Sequence, residues 1–227
     1  MGGEKRKEIR WYYMNPYPDG EKADGLLTEA ARAAGMRQTQ AAMQMIWHIR
    51  EMTEPPRKSL YGNKTAPWVH PVTLACNALA MGLEDDDVLA ACLLYHAGAD
   101  QGIAADRYRE EIGETVREAV NLLVYPGGPG EEDAGDPERM EEPRLSYYRN
   151  ISRNPLASLV KCLDRCVTMS TMADTFSRDE MARYVRQTEL YAKPLLDTVE
   201  RVLDWKRVAW LLRSRILAAA ETYKRLL

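Results

Sequence analysis

The chain has 227 residues, 45% of them apolar, which suffices for one large domain with a buried core or for two small ones. Its 31 Lys and Arg stand against 34 Asp and Glu, a formal charge of −3 without the basic excess that advertises nucleic-acid binding. No uncharged stretch of roughly 18 residues and no charged-then-apolar leader is expected to direct the chain into or across a membrane, so the cytoplasm is the expected compartment.

The first twenty residues, with Trp11-Tyr12-Tyr13 and the turn formers Asn15-Pro16-Tyr17-Pro18-Asp19-Gly20, lack periodicity and read as an extended arm over 1–20. A single helical domain is expected over 21–227. Helical spacing runs from about Ala23 to Met52, with Gly25 and Gly35 as weak points, and Pro55-Pro56 ends it. A polar loop, Arg57 to Thr65, leads to a helix opening at His70-Pro71, where proline suits the first turn, and Gly82 closes that helix. Glu84-Asp85-Asp86-Asp87 place four acids over the positive end of the helix that begins at Val88, so they read as a cap; an acidic metal cluster is the alternative.

A further amphipathic helix is predicted over roughly Arg107 to Val124. Residues 126–143, with Pro126, Gly127, Gly128, Pro129, Gly130, Gly135, Pro137 and Pro143 among acids, form the one interior break in composition and are expected to be a mobile loop. Asn154-Pro155 starts an apolar helix that carries Asp164. Asp174 to Ser177 reads as a turn ahead of a helix over Arg178 to Leu190, and the tail from about Lys193 to Leu227 is helical. No strand pattern or fixed-period repeat occurs, so the expected fold class is all-α, with at least seven helices around one core.

Asp164 sits four residues after Val160 and three before Val167, in register with the apolar stripe of its helix. A carboxylate aimed inward needs a cation, a metal or hydrogen-bond donors, because burying it alone costs several kcal/mol. His70 and His96, two of only three histidines, are candidate company, and a buried ion pair with Lys161 is the structural alternative. The alternative for His70 is a helix N-terminal cap, and for His96 a satisfied core histidine. The four cysteines, Cys76, Cys92, Cys162 and Cys166, fall in apolar helical patterns without close-spaced zinc-ligand pairs and are expected to be buried free thiols.

The order of these features, a basic loop, His70-Pro71 at a helix start, Leu93-Leu94 before an ionisable pair, a mobile loop, then Leu159-Val160-Lys161 with Asp164-Arg165, resembles the HD-domain phosphohydrolases. The resemblance is to the (p)ppGpp hydrolase domains of the RelA/SpoT type and their small stand-alone relatives, over about residues 30 to 200. It implies an HD-type helical bundle in which His70, His96 and Asp164 hold a divalent metal ion, Asp100 positions water, and Arg57, Lys58, Lys64, Lys161, Arg165 and Tyr184 contact a guanine nucleotide pyrophosphate.

The family's metal is usually manganese. Such an ion lowers the pKa of a bound water and polarises a phosphoryl oxygen. This chain departs from the pattern after Leu94. Tyr95-His96 stands where the family has His-Asp, Ala99 where it has Glu, and Thr168 where it has Asn. A ligand set of two imidazoles and one carboxylate favours zinc or nickel over manganese, or no ion at all if the site is degenerate.

Two functions therefore stand as expectations: a metal-dependent nucleotide pyrophosphohydrolase with impaired or altered activity, and a catalytically inactive nucleotide-binding or protein-interaction module on the same fold. The helical tail, with Trp205, Trp210, Leu211 and Leu212, is the expected surface of a homo-oligomer.

Overall fold

A computed structural model describes residues 20–52, 68–95, 110–126, 142–174 and 176–227. Among these residues the chain forms nine α-helices and no strand, and the helices enclose one apolar core. They are α1 (Gly20–Ala33), α2 (Arg37–Met52), α3 (Val69–Ala80), α4 (Asp86–Leu94), α5 (Glu114–Leu123), α6 (Glu142–Ile151), α7 (Pro155–Thr171), α8 (Arg178–Arg201) and α9 (Lys206–Leu226). The all-α fold is the one that the helical periodicity predicts. None of these helices is long and apolar enough to cross a membrane.

The centre of the molecule is α7, which packs against α3, α4, α5, α6, α8 and α9. Its start is written locally. Asn154 accepts from the Ala157 amide at 2.9 Å, and Pro155 fills the first turn, where its missing N–H costs nothing. Every residue from Leu156 to Thr171 except Ser170 is buried. A helix enclosed on all sides must find partners for each polar group it carries, and α7 carries Lys161, Asp164 and Arg165.

Several boundaries differ from the sequence expectation. The predicted helix from Ala23 to Met52 is two helices, because the chain turns at Gly35 with φ +66°, a conformation that favours glycine. Gly82 ends α3 in the same way at φ +86°. The helix expected from Arg107 begins at Glu114, after Gly113 leaves the helical region with ψ 160°. In the tail, α8 runs through the exposed Pro194 to Arg201, held by the buried Tyr191, Ala192, Leu195, Leu196 and Val199, and the break comes at Val202–Trp205. The glycine- and proline-rich segment extends less far than expected, since α6 starts at Glu142; residues 127–141, the arm 1–19 and the polar loop lie outside the described residues.

The acidic run before α4 does more than cap its own helix. Asp85 accepts from the Asp87 and Val88 amides at 2.9 and 3.1 Å. Asp86 instead reaches α2, accepting from the Gln38 and Thr39 amides at 3.1 and 2.7 Å and from the Thr39 hydroxyl at 2.8 Å. One carboxylate thus satisfies amides at the start of a helix remote in sequence, and pins α2 to α4. On α9, Leu212 belongs to the core rather than to an outer surface, Trp205 and Leu211 are partly covered, and Trp210 is 67% exposed.

Candidate functional site

Three helices bring four polar side chains to one buried point. His70 is the second residue of α3, Tyr95 follows the last residue of α4, and Lys161 and Asp164 lie three apart on α7, hence on one face. His70 Nε2 and Asp164 Oδ1, 94 residues apart in sequence, stand 3.0 Å from each other. The Tyr95 hydroxyl donates to Asp164 Oδ2 at 3.1 Å. The Lys161 ammonium donates to the same oxygen at 3.2 Å and to the Tyr95 hydroxyl at 2.6 Å. Asp164 is 5% exposed, and His70, Lys161 and Tyr95 are buried with it.

The inward carboxylate predicted from the apolar register is therefore present, and its company is a mixture of the two readings that the sequence left open. His70 is beside it, as the metal reading requires, and Lys161 is ion-paired with it, as the structural reading requires. Cys92 lies within electrostatic reach: burial pushes its thiol above the usual range, and the charge of Asp164 adds to the effect. Tyr95, which the sequence presents only as the loss of a histidine, is a donor to Asp164. The signal was its position directly after the buried run Val88 to Leu94, which directs it towards the same core.

Does this donor set fit a metal ion? Two ligands about 2.1 Å from a shared ion and at right angles to each other lie about 3.0 Å apart, so the Nε2 to Oδ1 separation suits a hydrogen bond and a chelating pair equally. Oxygen and imidazole donors suit a first-row divalent ion. Among the described residues, however, no group of three or more His, Cys, Asp or Glu is placed to hold one. Among the described residues His70 and Asp164 thus fit as a pair, short of the three protein ligands that catalytic zinc sites commonly have. His96 lies outside the described residues, as do Asp100, Arg57, Lys58 and Lys64.

Arg165 and Tyr184, expected beside Lys161 on a substrate, form a second cluster. Arg165 follows Asp164 by one residue and so points about 100° away around α7, towards α6 and α8. Its guanidinium donates to the Tyr148 hydroxyl and lies 4.3 Å from the centroid of the Tyr184 ring. Tyr148 in turn stacks on Tyr191 with centroids 4.2 Å apart and planes 1° from parallel. Both Arg165 and Tyr184 are buried. The side chains expected to meet one substrate are thus divided between two faces of α7, with Lys161 on one and Arg165 and Tyr184 on the other.

No model of a known protein family matches the chain, and no curated protein matches its sequence.

Proposed function

We propose that this protein is a phosphohydrolase-like member of the HD type that binds a guanine nucleotide pyrophosphate at the Asp164 site and hydrolyses it slowly. The observation that carries the reading is the meeting of His70 and Asp164 at 3.0 Å in the buried core, a long-range pairing that the motif resemblance demands and that composition does not. A divalent ion held by His70 and Asp164, with His96, would supply an activated water and polarise a phosphoryl oxygen. The protein's own groups orient the carboxylate: Lys161 and Tyr95 hold Oδ2 and turn Oδ1 towards His70. In this reading Asp100 positions the water, and Ala99 supplies no acid or base, an omission that commonly lowers rate by about 10²- to 10⁴-fold.

The second reading, a nucleotide-binding module without turnover, is favoured by Lys161. Its ammonium already gives Asp164 a countercharge from within the protein and would repel a divalent ion brought to the same carboxylate.

The two readings separate in one experiment. The full chain is incubated with ppGpp and manganese, zinc or nickel, and pyrophosphate release and nucleotide binding are both measured. Slow release that disappears in His70→Ala and Asp164→Ala, in variants whose far-ultraviolet circular dichroism is unchanged, supports the hydrolase. Binding without release supports the module, and neither binding nor release refutes both.

A further inference from the structure

The outer face of α9 carries apolar side chains that the core does not use. Val208, Ala209, Leu212, Ile216 and Ala220 turn one side of the helix inward. Two contacts to α8 fix the helix in that rotation: Arg213 bonds Asp197 and Glu200 at 2.9 and 3.0 Å, and the Lys224 ammonium pairs with Glu189. The side opposite the core then presents Trp210 and Leu217, seven residues apart, with Leu217 55% exposed. Leu203, seven residues before Trp210 and 74% exposed, continues the same line at the turn that precedes α9. A bare indole flanked by bare leucines is the composition of an interface centre, where tryptophan is enriched.

The charges on this face say what covers it. Arg207 and Glu221 lie exposed at the two ends of the stripe, and Ser214, also exposed, is midway between them. Among the described residues Arg207 makes no ion pair, and Glu221 reaches only Lys224, at 3.6 Å, an ammonium that Glu189 also holds. In two antiparallel copies of α9 crossing at Ser214, residues equidistant from Ser214 oppose each other. Arg207, seven before it, then meets Glu221 of the second copy, seven after it, and the two-fold axis makes this pair twice. Trp210, four before, meets Ala218, four after, so the largest side chain faces one of the smallest. Leu211 meets Leu217, and Ser214 meets itself, which lets the helices approach closely. The face is thus complementary to itself in charge and in size, as an interface on a two-fold axis must be. A parallel pair would instead set Arg207 on Arg207 and Glu221 on Glu221. A membrane surface would suit Trp210 but offers nothing to Glu221.

We propose that the outer face of α9 binds the same face of a second copy of this chain, antiparallel and centred on Ser214. The inference does not depend on the Asp164 site. A single helix face about 30 Å long and about 10 Å wide covers well under the roughly 800 Å² per partner of a standard interface, so the dimer is of the weak class, with a Kd of about 10–100 µM.

Sedimentation of the full chain from about 5 to 500 µM tests this, with circular dichroism to check that each variant is folded. A monomer–dimer equilibrium is expected for the parent, weakened about tenfold or more in Trp210→Ala. Arg207→Glu and Glu221→Arg each set like charges against each other at both ends of the pair and are expected to dimerise about tenfold more weakly or worse. Mixed in equal amounts, the same two variants regain opposite charges at both ends and are expected to form a heterodimer at least as tight as the parent dimer. A parent that stays monomeric throughout would overturn the proposal, and so would a dimer indifferent to Trp210→Ala. Single charge variants that dimerise like the parent, or whose mixture gains nothing, would overturn the antiparallel pairing. Binding of a monomeric parent to phosphatidylcholine–phosphatidylserine vesicles, lost in Trp210→Ala, would overturn it in favour of a membrane surface.

Discussion

Lys161→Met removes the ammonium from a buried ion pair at the centre of the described core. The two side chains are 3% and 7% exposed and 3.2 Å apart, so little water reaches the carboxylate that remains. Breaking a buried pair by deleting one partner costs about 3–5 kcal/mol, whereas replacing both partners by apolar groups is often close to neutral. Tyr95 and His70 still touch Asp164, which places the expected loss at the lower end, about 3 kcal/mol. For a domain of this size that lowers the thermal midpoint by about 6–12 °C.

The double variant Lys161→Met with Asp164→Leu removes both charges but strips His70 and Tyr95 of their acceptor, at about 1 kcal/mol each. It should therefore be less destabilised than the single variant, by about 1 kcal/mol. Urea unfolding at neutral pH, followed by circular dichroism with both variants beside the parent, measures the difference. A single-variant cost below about 1 kcal/mol, or a double variant whose loss equals the sum of its two singles, would refute the view that Lys161 compensates a buried carboxylate.

Three further outcomes follow from the same structure. Asp86→Ala strips two amides and a hydroxyl at the start of α2 of their acceptor, and should cost about 1–3 kcal/mol in urea unfolding, more than Asp85→Ala, whose cap is local and exposed. Glu180, whose carboxyl is held below its usual range by the Ser177 backbone amide and hydroxyl in a capping box, contributes stability that is present above its unfolded value of about 4.3 and is lost as pH falls through the folded value; Glu180→Gln should flatten the stability profile in that acid window and leave its alkaline side unchanged. Burial pushes Cys76 up to about 11 and raises Cys92, Cys162 and Cys166, so the native protein at pH 7.5 should resist iodoacetamide at all four positions, all of which react in denaturant; rapid native labelling at any of them, read by mass spectrometry, would contradict the packing around that thiol.

The elements were legible because their signals are local. Asn154-Pro155 marks the start of α7 by side-chain reach and ring geometry, and Gly82 marks the end of α3 by backbone freedom, whatever the rest of the chain does. The inward aim of Asp164 was legible too, since helical spacing ties its direction to that of Val160 and Val167. Its partners were less so. Tyr95 read as a missing ligand, because sequence reports a substitution without the distance that makes a phenol a donor to the same carboxylate. Arg165 and Tyr184 were grouped with Lys161 by their place in a motif, yet one step along a helix turns a side chain about 100° and sends it to different neighbours.

The sequence by itself determined an all-α chain, the register of its buried stripes and the presence of charge within α7. These follow from periodicity and from capping chemistry that acts across three or four residues. The tertiary structure alone decided that Asp86 caps α2, that His70, Tyr95 and Lys161 surround Asp164, and that Arg165 turns to Tyr148 and Tyr184 instead. Those pairings join residues far apart along the chain, and their energies depend on burial and distance, quantities that exist only once the helices have packed.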